Sequence, residues 1–287
     1  MSKSKNALFS QEIGLRLALI FGSYLYNIKQ LHFGYWSKDM KLELSNLSKA
    51  QAGYCGLLRS VIPVNVKTIL DVGCGTGALA QELLAAGYAV DCVTPSDFFT
   101  SLIASNTDGK SEIFQTTFEE LKTDKKYDMI LFSESFQYID IEKGFKKAMG
   151  LLNDNGHILI SDYFKKDKKM VSGKSPLSGG HKLVKFNELI KGLPLTEIKR
   201  LDITEQTAPN LDLVNDLLNN LALPAIECLL KYVKAKYWYN LACSVSSLIF
   251  RKKIDNLQRK YFRDERNAEN FKKYKQYLVL LYKLNLS

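Results

Sequence analysis

The stretch Lys67-Thr68-Ile69-Leu70-Asp71-Val72-Gly73-Cys74-Gly75-Thr76-Gly77 decides how the rest of this chain is read. Thr68 to Val72 is an apolar, partly β-branched run that suits a strand buried on both faces. Glycines at alternate positions then let the backbone turn tightly and let a ligand come close to it. Ala78 to Ala86 reads as a helix, with Gly87 as its stop. Strand, glycine turn and helix in this order point to a nucleotide-like ligand. The spacing GxGxG lacks the further glycine of the dinucleotide fingerprint, and the absence of a Walker lysine argues against a triphosphate cradle. Asp71, at the end of the strand, is placed either to accept from loop amides or to face a cationic ligand.

Downstream, strands and helices alternate as an open parallel sheet requires. Ala89 to Val93, Ile113 to Phe114, Tyr127 to Phe132, His157 to Tyr163 and Leu195 to Ile203 read as strands two to six, the fifth introduced by a turn at Leu151–Gly156. Tyr277 to Lys283 returns as an antiparallel seventh strand, against the competing reading of an amphipathic helix from Asn267 to Tyr282. The fold class is therefore α/β: a Rossmann-like, doubly wound, seven-stranded sheet with an added helical cap. The boundaries are an N-terminal helical segment over 1–64, a core over 65–204, a helical insertion over 205–262 and a return to the core over 263–287.

From Val66 to Asp162 the chain resembles the class I S-adenosylmethionine-dependent methyltransferases, whose first motif reads D-x-G-x-G-x-G. That resemblance implies S-adenosylmethionine as cofactor, with S-adenosylhomocysteine as product. It places Asp71, Gly73, Cys74, Gly75 and Gly77 at the cofactor, together with Thr94, Pro95, Ser96, Thr117, Phe118 and Ser133. Two departures stand out. Thr94 occupies the position where many members carry an acidic residue for the ribose hydroxyls, with Asp97 as a nearby substitute. Thr117 and Phe118 follow the third strand where an acidic side chain often meets the adenine amino group, which leaves a backbone amide and the Phe118 wall to hold the base.

The chain is long enough for one enzyme-sized unit at 287 residues. Its five cysteines are scattered and lack CxxC spacing, which argues against a disulfide framework or zinc site and for a reducing cytoplasm. The three histidines form no HxxxH-like pair, so no metal site is expected. A net charge of +10 is concentrated at Lys165–Lys174 and in the tail from Lys231 to Lys283. Such runs are a solvated surface or a contact for an anionic lipid surface or anionic substrate group. Ser133-Glu134-Ser135-Phe136-Gln137-Tyr138 is not the N/D-P-P-Y/F type of base-amino methyltransferases, which argues against a nucleic-acid partner.

The segments outside the sheet point to a hydrophobic small-molecule or lipid substrate. Gln11–Ile28 carries apolar residues at helical spacing, too short and charged to span a membrane. Leu31-His32-Phe33-Gly34-Tyr35-Trp36, with Ala50-Gln51 beyond it, resembles the sterol, tocopherol and cyclopropane-fatty-acid type of methyltransferases. By that resemblance Tyr35 and Trp36 lie beside the methionine part of the cofactor, where ring faces attract a sulfonium; the other reading makes them ordinary core. Leu211–Leu223, Ala225–Tyr239 and Leu241–Leu257 repeat apolar residues at helical intervals and read as a cap over the site or as a face for peripheral membrane contact, with Lys231, Lys234, Lys236, Arg251, Lys252 and Lys253 at the headgroups. For catalysis, Glu134 lies at the carboxyl end of the fourth strand, the edge where open α/β sheets bind ligands. Gln137 and Tyr138 follow on the same loop; His32, Tyr24 and Tyr26 are weaker candidates.

The expected activity is methyl transfer to carbon or oxygen of a hydrophobic acceptor. The alternatives are methylation of a polar amine or headgroup, and a noncatalytic binding protein that kept the fold.

Overall fold

The apolar runs read from the sequence become the centre of a seven-stranded sheet of order β3-β2-β1-β4-β5-β7-β6 in a computed structural model of the chain. The structure describes residues 28–234 apart from 168, 170 and 174, residues 265–285, and residues 16, 19, 20 and 22–24 of the N-terminal stretch. Strands β1 (Thr68–Val72), β2 (Ala89–Val93), β3 (Ile113–Phe114), β4 (Tyr127–Ser133) and β5 (Leu152–Lys165) run parallel. Strand β7 (Lys275–Leu284) enters antiparallel between β5 and β6 (Leu195–Asp202).

Side-chain alternation along the strands feeds two cores, one per face. Ile69, Met129, Leu131 and Leu159 pack with Tyr54 and Leu58 of α1 (Leu47–Val61), Leu79 and Leu83 of α2 (Ala78–Ala85), and Phe99 and Ile103 of α3 (Asp97–Asn106). Leu70, Ile130, Phe132, Ile158 and Ile160 face the other way, against Phe145 of α4 (Ile141–Leu151) and Phe186 of α5 (Leu183–Ile190). Burial on both faces explains why these strands read as unbroken apolar runs.

Two local features differ from the sequence reading. The turn at Leu151–Gly156 is drawn into β5 as an irregularity: the register steps from Tyr127↔Leu152 to Met129↔His157, with Asn155 at φ +60°. Near the end, the choice between helix and strand resolves into both. Helix α9 (Ala268–Tyr274) is capped by Asn267, whose side chain accepts from Asn270 N at 2.9 Å, and β7 starts immediately after it.

Beyond β6, α6 (Thr204–Thr207) and α7 (Pro209–Leu217) lead through a π turn at Leu218–Ala222 into α8 (Leu223–Lys234). The expected helix over Leu241–Leu257 and the end of that over Ala225–Tyr239 lie outside the described residues, as does most of Gln11–Ile28 with Tyr26. Among the described residues no helix is long and apolar enough to cross a membrane.

Strand order reverses between β1 and β4, so their carboxyl ends open a crevice at the point where such folds take ligands. The glycine turn leaves β1 at this point and Glu134 leaves β4 beside it.

Candidate active site

The turn after β1 is built by backbone conformations that side chains resist. Gly73, Gly75 and Gly77 lie at φ +73°, +56° and +79°, a region glycine occupies without steric cost. Gly73 N donates to Val93 O at 2.8 Å and Gly77 N to Cys74 O at 2.9 Å, closing the loop against β2. A Cβ on Gly73 would sit 2.5 Å from Ser135 Cβ, whereas one on Gly75 would meet nothing within 4 Å among the described residues. The first glycine is therefore required by packing, and the second marks where the backbone faces open space. Thr76 and the N-terminal segment close one side of the turn: Thr76 Oγ1 donates to Lys29 O at 2.7 Å, and Asn106 Nδ2 to Thr76 O at 2.8 Å.

Asp71 is buried at the end of β1, and neither carboxylate oxygen has a hydrogen-bond partner among the described residues. Of the two roles open to it, the bonds to loop amides are not made. Burial pushes its carboxyl up to about 7, because an ion without partners is costly in a low-dielectric site. Such a group is complementary to a cationic ligand.

Glu134, also enclosed, has partners. Its backbone is left-handed at φ +57°, a conformation that costs a non-glycine residue about 1–3 kcal/mol and that clusters at ligand sites. Glu134 N donates to Ser161 O at 2.8 Å, which fixes the bend to β5. Phe33 N and Tyr277 Oη each donate to Glu134 Oε1 at 2.8 Å, while Oε2 has no hydrogen-bond partner among the described residues. Burial pushes this carboxyl up to about 7, against the two bonds that favour its ionised form.

A third carboxylate, Asp162, lies near the carboxyl end of β5. It accepts from Gln137 N at 2.9 Å, Gln137 Nε2 at 3.2 Å and Tyr163 N at 2.8 Å. Burial raises it to about 8, with the neighbouring Glu134 charge adding to the rise. Gln137 is held by this bond pair, its Oε1 buried and without a hydrogen-bond partner among the described residues, and Tyr138 is exposed at the rim. Phe33, Tyr163, Phe271 and Tyr277 cluster beside Glu134 with centroids 5.6–6.4 Å apart.

The other sequence-derived residues fall in several places. His32 is committed to the structure: Nδ1 lies 2.8 Å from Phe33 O and Nε2 3.4 Å from Cys55 Sγ, and burial lowers its pKa to about 4. A carbonyl only accepts, so Nδ1 carries the proton and Nε2 accepts from the thiol; neither nitrogen is left for an acceptor. Tyr35 packs at the margin of the first core. Trp36 joins a separate cluster with Ala50 and Leu213, and its Nε1 donates to Asn210 Oδ1 at 3.1 Å. Thr94 is buried, its Oγ1 accepting from Ser96 N at 3.3 Å, and Ser96 caps α3. Pro95 and Asp97 are exposed, with Asp97 bonded to Gln115. Thr117 is half-buried, and Phe118 packs edge-on to Phe132 at 5.3 Å in the second core. Cys74 Sγ donates to Val93 O at 3.8 Å, and its thiol is held protonated by Cys92 and burial. Ser133 Oγ lies 3.0 Å from Tyr54 Oη. Tyr24 is exposed.

The sequence reading passed over Tyr277, Tyr54, Asp162 and Asn210. For Tyr277 a signal existed: the first residues of an antiparallel seventh strand must lie at the carboxyl edge of its parallel neighbours, and Tyr277 pairs with Tyr163 there. Asp162 likewise stands near the carboxyl end of a strand run. Asn210 had no local signal. Its amide clasps the N-terminal segment to α7, accepting from Gly34 N at 2.8 Å and donating to Gly34 O at 2.8 Å and Thr207 O at 2.7 Å.

Sheet order and glycine turn give the core the architecture of the class I S-adenosylmethionine-dependent methyltransferase fold. Residues 70–158 match the family described as methyltransferase domain, and S-adenosylmethionine is the cofactor of that class. The chain is 27% identical over 153 residues to a ubiquinone biosynthesis O-methyltransferase of Rickettsia typhi, a match covering 52% of this chain and 55% of the relative. It thus spans little more than half the length of that relative. Among solved structures it resembles geranyl diphosphate C-methyltransferase from Streptomyces coelicolor, with a TM-score of 0.64, 13% identity and 92% of each chain covered. It also resembles the cyclopropane synthase MmaA2 from Mycobacterium tuberculosis, with a TM-score of 0.61, 17% identity and coverage of 88% and 90% of the two chains. At these identities the structural likeness concerns the fold.

Proposed function

We propose that this protein transfers the methyl group of S-adenosylmethionine to an oxygen or carbon of a hydrophobic small molecule or lipid, with Glu134 meeting the acceptor. The observation that carries this reading is Glu134 itself: a strained, enclosed carboxylate anchored through one oxygen, with the other free, beside an aromatic cluster. The relative named for ubiquinone biosynthesis and the structural neighbour named for geranyl diphosphate favour a lipophilic acceptor.

In this reading Gly73, Gly75 and Gly77 shape the cofactor cradle and Asp71 faces its positive charge. The cofactor, when bound, supplies an electrophilic methyl on a sulfonium. The residues of this chain do the rest. Glu134 accepts the acceptor's proton, a role its position near neutrality suits. Asp162 holds Gln137, whose unpartnered Oε1 orients an acceptor hydroxyl or amide. The N-terminal segment and α7, clasped through Asn210, form one side of a cap that excludes water. The described insertion helices extend that cap, and their basic residues are the part suited to an anionic lipid surface.

The test is transfer of isotopically labelled methyl from S-adenosylmethionine to three acceptors: an isoprenoid phenol, geranyl diphosphate and an unsaturated acyl lipid. Labelled product from a lipophilic acceptor, abolished in Glu134→Gln, is the expected result. Transfer only to polar amines would contradict the acceptor class. Cofactor binding without transfer to any of them would favour the noncatalytic alternative, which the Thr94 position supports: its hydroxyl already serves Ser96 N.

A further inference from the structure

The hydrogen bonds beneath Glu134 form a line of hydroxyls. Tyr277 Oη lies 2.8 Å from Glu134 Oε1 and 3.1 Å from Tyr54 Oη. Tyr54 Oη in turn lies 2.7 Å from Ser161 Oγ and 3.0 Å from Ser133 Oγ. The line joins α1, β4, β5 and β7, and both tyrosines are fully buried. Phenylalanine would fill the same space; the Tyr54 and Tyr277 rings already meet edge-on at 6.3 Å. The hydroxyls therefore have a purpose apart from packing.

A hydroxyl has one proton to give and lone pairs to receive with, so such a line can run in either sense. When Glu134 is ionised, the serines donate to Tyr54, Tyr54 to Tyr277, and Tyr277 to the carboxylate. When Oε1 carries a proton, the carboxyl donates to Tyr277, Tyr277 to Tyr54 and Tyr54 to Ser161. When Oε2 carries it, the first sense is kept. No tyrosine hydroxyl is stranded in any of these states, which avoids the cost of a buried unpaired polar group.

We propose that Tyr54 and Tyr277 are positioning residues whose reversible hydroxyl chain keeps Glu134 hydrogen-bonded in each of its protonation states, so that it can take up and release an acceptor's proton in an enclosed site. This rests on the reading of Glu134 as the group that meets the acceptor. In the reaction the acceptor oxygen or carbon gains the methyl, and the electron pair of the broken bond stays on the donor sulfur. The acceptor's proton passes to Glu134 and then to solvent. The groups that face Glu134 are Tyr54 from α1, Tyr277 from β7, Asp162 and Tyr163 from β5, and Tyr138 from its own loop. Of the side chains, Tyr277 makes the hydrogen bond to its carboxylate.

The test is a carboxyl titration of the full chain labelled with 13C at the glutamate δ carbon, followed by NMR, with the Glu134 signal assigned by its loss in Glu134→Gln. Tyr277→Phe is expected to raise the Glu134 midpoint by about one to two pH units, since it removes a charge-assisted bond from the ionised form. Tyr54→Phe is expected to raise it less, in the same direction. An unmoved midpoint in folded Tyr277→Phe would overturn the proposal, because a purely structural tyrosine would leave that titration alone. Should Tyr277→Phe not fold, an unmoved midpoint in Tyr54→Phe overturns it instead. No cofactor or acceptor enters the titration, so its failure leaves the role of Glu134 standing. Unchanged methyl transfer in Glu134→Gln would overturn that role whatever the titration gives.

Discussion

Asp71 and Glu134 stand at the carboxyl ends of neighbouring strands, and burial pushes both to about 7, yet they differ in what holds them. Among the described residues Asp71 has no hydrogen-bond partner on either oxygen, while Glu134 has two donors on Oε1 and a backbone bent to place it. The same perturbation thus has two meanings. A carboxylate left without protein partners is complementary to charge brought by a ligand; one anchored through a single oxygen is oriented to act on a ligand with the other. In the proposed reading the first belongs to binding and the second to chemistry.

The largest expected effect separates these roles. Glu134→Gln should lower methyl transfer by about 10²–10⁴-fold, the usual scale for a lost general base. Its affinity for S-adenosylmethionine should stay within about twofold. A parallel loss of affinity, read by calorimetry, would merge the two carboxylates into one site.

Next come the glycines that set Asp71 against the ligand. Gly73→Ala combines a left-handed backbone with a clash on Ser135, and should destabilise the fold by about 2–5 kcal/mol in denaturant unfolding. Gly75→Ala has the backbone cost alone, about 1–2 kcal/mol, but puts its Cβ into open space at the turn. It should therefore weaken cofactor binding out of proportion to stability. Equal stability losses at the two positions would remove the distinction between a packing glycine and a cradle glycine.

Replacing Asp71 itself should help the ligand-free protein. Asp71→Asn removes an unpartnered buried charge and is expected to raise stability at pH 8 by about 1–3 kcal/mol, while binding weakens. Glu134→Gln gives up two bonds to an anion and should gain less.

The smallest effect is the pH slope of stability, at most about 1.4 kcal/mol per pH unit for each group. A carboxyl whose folded pKa is raised binds protons more readily in the native state, so stability falls as pH climbs from its unfolded to its folded value. Asp71 acts from 3.8 to about 7, Glu134 from 4.5 to about 7 and Asp162 from 3.8 to about 8. His32 opposes them, since its folded value near 4 lies below 6.5 and stability rises with pH between the two. The decline should be steepest from about pH 6.5 to 7, where His32 no longer offsets it. Thermal unfolding across pH 5–8 checks this, and a flat profile would mean that the carboxylates find partners.

The centre of the sheet was legible because β1, β4, the later part of β5 and β7 are buried on both faces and announce themselves as apolar runs. The Asn153–Gly156 stretch was misplaced because polar residues and glycine mark a turn equally well when the strand simply bulges. At the candidate site, Asp71 and Glu134 stood out in the sequence because strand ends are the ligand-binding edge of open α/β sheets. Their surroundings did not. Tyr277 and Glu134 are 143 residues apart, and Gly34 and Asn210 are 176 apart, distances over which sequence pattern has no local trace. For Trp36 the sequence left a ligand role and ordinary core both open, and the structure adds a long-range contact that no pattern carried: its indole is held by Asn210 against Leu213.

The most direct test of the binding half of this account is a calorimetric titration of the full chain with S-adenosylmethionine and S-adenosylhomocysteine, alongside Asp71→Ala. Both ligands are expected to bind, with a loss of about 10–100-fold or more in the variant, the scale of a missing charge-assisted contact. A folded Asp71→Ala protein that binds as well as the unaltered chain would contradict this expectation, and would return Asp71 to the role of a buried carboxylate without a ligand.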